Sequence, residues 1–247
     1  MTAYRSYVAI GDSFTEGVGD ELPDGRVRGW ADIVALGLST ASPDPVGYAN
    51  LAIRGRLLAP IAGQQLDAAL ALAPELLSIN GGGNDIMRPR VSVPAIANEL
   101  VAAARRAVDA GCHVLLVSGA NPTRHLPLGA SIGARGNQLA AAVRSHLPIE
   151  HVTFVDNWAD DELAELRYWS RDKLHLNPRG HQRVAGNVLA ALGVEPPVLT
   201  GLADVDHSQG TAAYWREYVL PWIGRRLTGR SSGDSREPKY PTLEPLE

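Results

Sequence analysis

Five short apolar runs recur along the chain: Tyr7–Ile10, Val46–Leu51, Leu76–Ile79, Val114–Val117 and Val152–Val155. Between them lie Ala- and Leu-rich stretches of helical length, Trp30–Leu38, Leu57–Leu72, Val93–Ala110 and Ser131–His146, and Pro178–Leu192 follows the last run. Continuous apolar strands alternating with helices bury both faces of a parallel sheet. The pattern predicts an α/β fold, a flavodoxin-like doubly wound sandwich. Its five-stranded parallel sheet would carry helices on both faces, within a domain over residues 1–195. In such sheets ligands bind beyond the carboxyl ends of the strands. Residues that do chemistry should therefore follow strands.

After Leu192 the character changes. Glu195-Pro196-Pro197 breaks the pattern, and residues 196–247 read as a C-terminal extension. One helix is expected over about 212–227, with Trp215, Tyr218, Val219 and Trp222 crowding one side and Pro221 kinking or ending it. From Thr228 on, Gly, Ser, Pro and charges dominate, which predicts a mobile or loosely docked tail. Its arginines, Arg225, Arg226, Arg230 and Arg236, read as a solvated surface.

Four places at the expected edge carry residues that could act on a substrate. Gly11-Asp12-Ser13 follows the first run. Asn50-Leu51-Ala52-Ile53-Arg54-Gly55 ends the second. Gly81-Gly82-Gly83-Asn84-Asp85 follows the third. Asp172-Lys173-Leu174-His175 precedes Asn177-Pro178, which has the form of a helix N-cap with proline at the first helical position. Acyl transfer needs a hydroxyl beside a base, and the base needs an orienting partner. Asp172 and His175 are three residues apart, so one short loop could let the carboxylate hold Nδ1–H while Nε2 faces Ser13. A developing oxyanion needs donors set in place beforehand. The Ser13 N–H at a helix start, the Gly55 N–H and the Asn84 amide are candidates.

These four motifs, in this order, resemble the SGNH hydrolases, also called the GDSL esterase/lipase family, over roughly residues 4–193. The resemblance implies a serine hydrolase that cleaves carboxylic esters through an acyl-enzyme. Ser13 would be its nucleophile, Asp172 and His175 would complete the triad, and Ser13, Gly55 and Asn84 would form the oxyanion hole. No cofactor is implied, and the substrate would be a small-molecule ester of unspecified acyl and alcohol. Two other functions stay open at this point: an acyl transferase on the same scaffold, and a non-catalytic domain whose first loop cradles a phosphate. Asp12, Glu16 and Asp20 weigh against the cradle, because they set negative charge around that loop.

The remaining features narrow the field. A net charge of −4 gives no nucleic-acid footprint. No run approaches the roughly 18 apolar residues of a membrane span, and Tyr7–Ile10 is too short for a signal-peptide core, so a cytoplasmic protein is expected, with no obligate protein partner evident. The lone Cys112 cannot form an internal disulfide and reads as a structural thiol. His113, His125, His146, His151 and His207 lack metal-ligand spacing, and no metal site is expected. His181 reads as a helix residue without a chemical role. Gly129-Ala130-Ser131-Ile132-Gly133 matches the nucleophile elbow of another hydrolase class, but that elbow needs a strand just before it. Here a loop with Pro122 and Pro127 precedes it, so Ser131 reads as a helix-start residue. Asp12 and Asp85 read as braces for loop N–H groups. Arg54 and Arg56 flank Gly55 and could meet substrate at the rim. Tyr168, Trp169 and Trp30 are candidates for the pocket wall.

Overall fold

The five apolar runs become strands β1 (Ser6–Ile10), β2 (Gly47–Asn50), β3 (Leu76–Ile79), β4 (His113–Val117) and β5 (Val152–Val155) in the computed structural model. All five run parallel. The structure describes the whole chain except residues 1–3, 89, 127–128, 201, 203–204, 209, 222–232 and 246–247. Alternate side chains leave opposite faces of each strand. Tyr7, Ala9, Leu76, Leu115 and Val117 join one core with the helices Trp30–Ala41 and Pro178–Ala191. Val8, Ile10, Leu77, Ile79, Val114 and Leu116 join the other. That second core is covered by the helix Val93–Asp109, by Val143 of Gly129–Arg144, and by a helical run over 58–71 whose middle, Ile61–Gln65, is wound as a π-turn.

The sheet order is β5-β4-β3-β1-β2-β6. The chain leaves β1 toward β2, then crosses back to β3 on the other side of β1. The crevice between β1 and β3 is thus the point where strand order reverses, the usual ligand position in such sheets.

A sixth strand extends the sequence expectation of a five-stranded sheet. β6 (Tyr240–Pro245) lies antiparallel on the free edge of β2. Pro241 and Pro245 obscure it in sequence, because proline argues against a central strand yet is tolerated at an edge. Lys239, just before it, is buried to 15% exposure. Its ammonium donates to the Glu16 carbonyl at 2.6 Å, the Val27 carbonyl at 3.1 Å and the Asp32 carboxylate at 2.6 Å. All three of its hydrogens are used. Burial pushes the Asp32 carboxyl up, and the Lys239 charge opposes that rise. The helix expected over 212–227 is described as far as Pro221: Thr211–Tyr214 is α-helical and Trp215–Val219 forms a π-turn. Its remainder, including Trp222, lies outside the described residues, as do Arg225, Arg226 and Arg230.

His181 has a structural task that its sequence position did not advertise. It is fully buried on Pro178–Ala191. Helix Trp30–Ala41 begins at Gly29, which has no side chain to cap it. His181 supplies the cap: its Nδ1 accepts the Trp30 N–H at 3.2 Å, and its Nε2–H donates to the Val18 carbonyl at 3.2 Å. Accepting at Nδ1 needs the neutral ring, and burial holds its pKa down at about 4.

Candidate active site

Ser13 opens a single helical turn, Ser13–Glu16, directly after β1. Asp12 caps that turn by accepting the Phe14 N–H at 3.0 Å. Gln65 clamps the corner from below: its Oε1 accepts the Gly11 N–H at 2.8 Å and its amide donates to the Gly11 carbonyl at 3.0 Å. Gly11 must lack a side chain, because a Cβ there would lie 2.5 Å from Thr15 Oγ1. The strand therefore ends in a small glycine corner that presents the serine at the sheet's carboxyl edge.

His175 and Asp172 arrive from the loop before Pro178–Ala191. Asn177 caps that helix by accepting the Gly180 N–H at 3.1 Å, as its Asn-Pro form implied. Asp172 Oδ1 accepts the Leu174 and His175 N–H groups, each at 3.0 Å, which folds the loop around the carboxylate. Its Oδ2 accepts His175 Nδ1–H at 2.5 Å. The opposite ring nitrogen, Nε2, then faces the Ser13 hydroxyl at 3.1 Å. Ser170 steadies the ring's backbone by donating to the His175 carbonyl at 2.8 Å. Burial alone would lower the His175 pKa, but the Asp172 charge and hydrogen bond outweigh it, with help from Asp12, and the pKa lies above its ordinary value. Asp172 is likewise opposed by its burial, yet the His175 charge and three hydrogen bonds hold its carboxyl below the usual range.

The three candidate oxyanion donors differ in state. Gly55 turns the chain after β2 at φ 75°, a conformation that favours glycine. The Ser13 and Gly55 N–H groups have no acceptor among the described residues, and both residues line the same cavity. Asn84 lies in the short helix Gly83–Ile86 after β3. Its amide donates to Asp12 Oδ2 and to the Arg56 carbonyl, each at 3.0 Å. A substrate oxygen must therefore share or displace one of those partners. Asp12 does more than brace a loop: it links the serine corner to Asn84, and burial pushes its carboxyl up to about 6. Asp85 acts as a brace, accepting the Leu58 N–H at 3.0 Å.

Asn84→Ala should lower kcat by on the order of 10²- to 10³-fold, the usual effect of one oxyanion donor. A loss below threefold, with a thermal midpoint that falls instead, would leave Asn84 as a structural link only.

The cavity holds about 530 Å³ and runs from Ser13 back between the sheet and the helices Val93–Asp109 and Gly129–Arg144. That size is ordinary for a small-molecule site. Its deep wall is apolar: Leu100, Leu116, Leu139, Val143, Phe154 and Trp158. Trp169 also lines it, with its indole N–H donated to the Leu163 carbonyl at 2.7 Å. Tyr168 does not line it. Its hydroxyl donates to Glu162 at 2.9 Å and its ring lies beneath Arg167, so the sequence expectation fails there. Trp30 is also removed from the wall, being fully buried against Phe14 in the first core. Arg54 sits at the rim, but its guanidinium is turned onto Glu16, which also accepts the Arg54 N–H at 2.6 Å. Ser131 is exposed on Gly129–Arg144, and no strand precedes it in residues 119–126. Among the described residues no His, Cys, Asp or Glu cluster is gathered to hold a metal, and no helix is long and apolar enough to cross a membrane.

Sequence reading missed the contributions from beyond residue 200. Asp234 stands at the cavity rim, and Tyr214 touches the Asp172 loop. Neither lies in a recognisable motif, so no sequence signal pointed to them.

Comparison with known proteins agrees with this architecture. The lipase Lip_vut3 from a goat rumen metagenome superposes with a TM-score of 0.64 at 17% identity, covering 75% of this chain and 96% of its own. The acetylxylan esterase Axe2 from Geobacillus stearothermophilus gives 0.59 at 19% identity, covering 77% and 95%. TesA gives 0.60 at 24% identity, covering 76% and 97%. Among curated protein sequences, none matches. The GDSL-like lipase/acylhydrolase family model matches residues 9–183, from the middle of β1 to the second turn of the helix that follows His175. With strands β2 to β5, the serine corner and the Asp-His loop inside that span, the chain belongs to the GDSL-like lipase/acylhydrolase family and is a carboxylic ester hydrolase.

Proposed function

We propose that the protein hydrolyses small-molecule esters through an acyl-enzyme on Ser13, with the acyl chain in the apolar cavity. The unbroken relay from Asp172 through His175 to Ser13, at 2.5 and 3.1 Å, carries this reading. Ser13 Oγ attacks the ester carbonyl carbon while His175 Nε2 takes its proton. The carbonyl oxygen becomes an oxyanion, met by the Ser13 and Gly55 N–H groups and by Asn84. As the bond to the alcohol oxygen breaks, His175 returns the proton to it, and the alcohol leaves. Water then gives a proton to Nε2 and attacks the acyl carbon. The bond to Ser13 breaks, Ser13 regains its proton, and a carboxylic acid departs. Asp172 fixes the ring tautomer throughout and favours the imidazolium that forms twice per cycle. Asp12, Glu16 and Asp20 are all buried around the first loop, which disfavours a phosphate cradle there.

The test joins labelling with a substrate series. An organophosphonate that reacts with activated serines should attach to Ser13, as read by peptide mapping. Attachment at Ser131 instead would overturn the site. Each buried methylene contributes about 0.8 kcal/mol, so kcat/KM for nitrophenyl esters should rise roughly fourfold per carbon from acetate toward hexanoate. A preference for acetate would take the acyl chain out of the cavity.

A further inference from the structure

The Asp172–His175 loop is held from outside by a residue that the family match does not reach. Tyr214, at the end of Thr211–Tyr214, is 6% exposed. Its hydroxyl donates to the Asp172 carbonyl at 3.0 Å. Its ring faces the ammonium of the next residue, Lys173, at 4.8 Å from the centroid. Lys173 has φ 57°, a sparsely populated conformation for a side-chain-bearing residue. That conformation accompanies the tight turn in which the Asp172 carboxylate accepts two N–H groups of its own loop. Tyr214 therefore grips both sides of the peptide where the turn is most demanding, by a hydrogen bond on one and a cation–π contact on the other. The family match ends at residue 183, and the solved structures compared above cover 75–77% of this chain.

We propose that Tyr214 is a positioning residue for catalysis: the C-terminal segment uses it to hold the Asp172 loop in the geometry that aims His175 at Ser13. The inference rests on the triad reading given above. Tyr214 touches no reacting atom. It acts through the Asp172 carbonyl, and so through the carboxylate that orients the ring. Charged groups facing the triad are Asp172 and Asp12, which raise the His175 pKa, and Arg54, which lowers it. The Lys173 ammonium lies over the Tyr214 ring.

Tyr214→Phe, made in the full chain, removes only the hydroxyl. The ring and the Lys173 contact remain. One hydrogen bond of ordinary strength corresponds to roughly a threefold to tenfold change. We expect kcat to fall by about that factor with KM within about twofold, and the acid limb of kcat/KM to move to lower pH as Asp172 loosens its hold on His175. Amide exchange in peptides spanning 170–176 should quicken. A variant with a lower thermal midpoint but unchanged kcat, acid limb and exchange would overturn the inference, because Tyr214 would then be structural only. Phosphonate labelling of the wild type separates the two levels. Label at Ser13 with an unaffected Tyr214→Phe variant sinks the positioning role alone, whereas no label at Ser13 sinks the triad reading and this one with it.

Discussion

Ser13→Ala should reduce kcat for a nitrophenyl ester by on the order of 10⁴- to 10⁶-fold, the scale seen when a triad nucleophile is removed. The fold should not notice. Among the described residues the Ser13 hydroxyl bonds to His175 alone, and the corner is held instead by Gln65 on Gly11 and by Asp12 on Phe14. Alanine is also a good helix former in the turn that follows. The variant should melt within a degree or two of the wild type and lose its phosphonate label. Turnover close to wild type in that variant would dismiss Ser13 as the nucleophile. Residual activity well above background would point instead to water attack aided by the oxyanion donors, which do not depend on the serine hydroxyl.

Asp172→Asn should cost on the order of 10⁴-fold in kcat, and the hydrogen bonds say why. The side-chain position of Oδ1 accepts two backbone N–H groups, so an asparagine must place its carbonyl oxygen there. Its NH2 then faces His175 Nδ1 and forces that nitrogen to accept. The proton moves to Nε2, which can no longer take one from Ser13. The pH profile adds a second readout. Catalysis needs neutral His175, so kcat/KM rises with pH through the His175 pKa. In the wild type that limb should lie above about 6.5, the ordinary histidine value, because Asp172 overcomes the lowering effect of burial. In the Asp172→Asn variant the compensating charge is gone, burial prevails, and the limb should move below it. An acid limb that stays in place would mean that Asp172 does not set the charge state of His175.

The strands, and the meeting of Ser13, His175 and Asp172 at one sheet edge, were legible in sequence for one reason. The central strands β1, β3 and β4 are apolar blocks buried on both faces, and each candidate site residue is joined to a strand or to a capped helix by a short loop. Ser13 lies three residues past Ile10, and Asn84 five past Ile79. Little chain is left in which the side chain could stray. What sequence hid is what depends on distant partners. Arg54 looked free to meet substrate, but its charge is taken by Glu16, 38 residues away. Tyr168 adjoins the catalytic loop, yet a 3-10 turn over Leu166–Tyr168 directs it to Glu162. His181 resembled any helix histidine until Gly29 proved to need a cap. Tyr240–Pro245 carries two prolines and no apolar run, and its strand exists because β2 offers an open edge. These are properties of pairs, and neither member announces the other.

The closing of that edge sets a timetable for synthesis. Lys239 and its partner Asp32 are 207 residues apart. At translation rates of roughly 5–20 residues per second, Asp32 is made on the order of ten to forty seconds before Lys239. During that interval β2 is the bare margin of a growing sheet, and an unpaired margin is a template for another chain's strand. A ribosome that stalls before residue 239 therefore releases a fragment that already holds Ser13, Asp172 and His175, with an adhesive border and a buried acid still waiting for its ammonium.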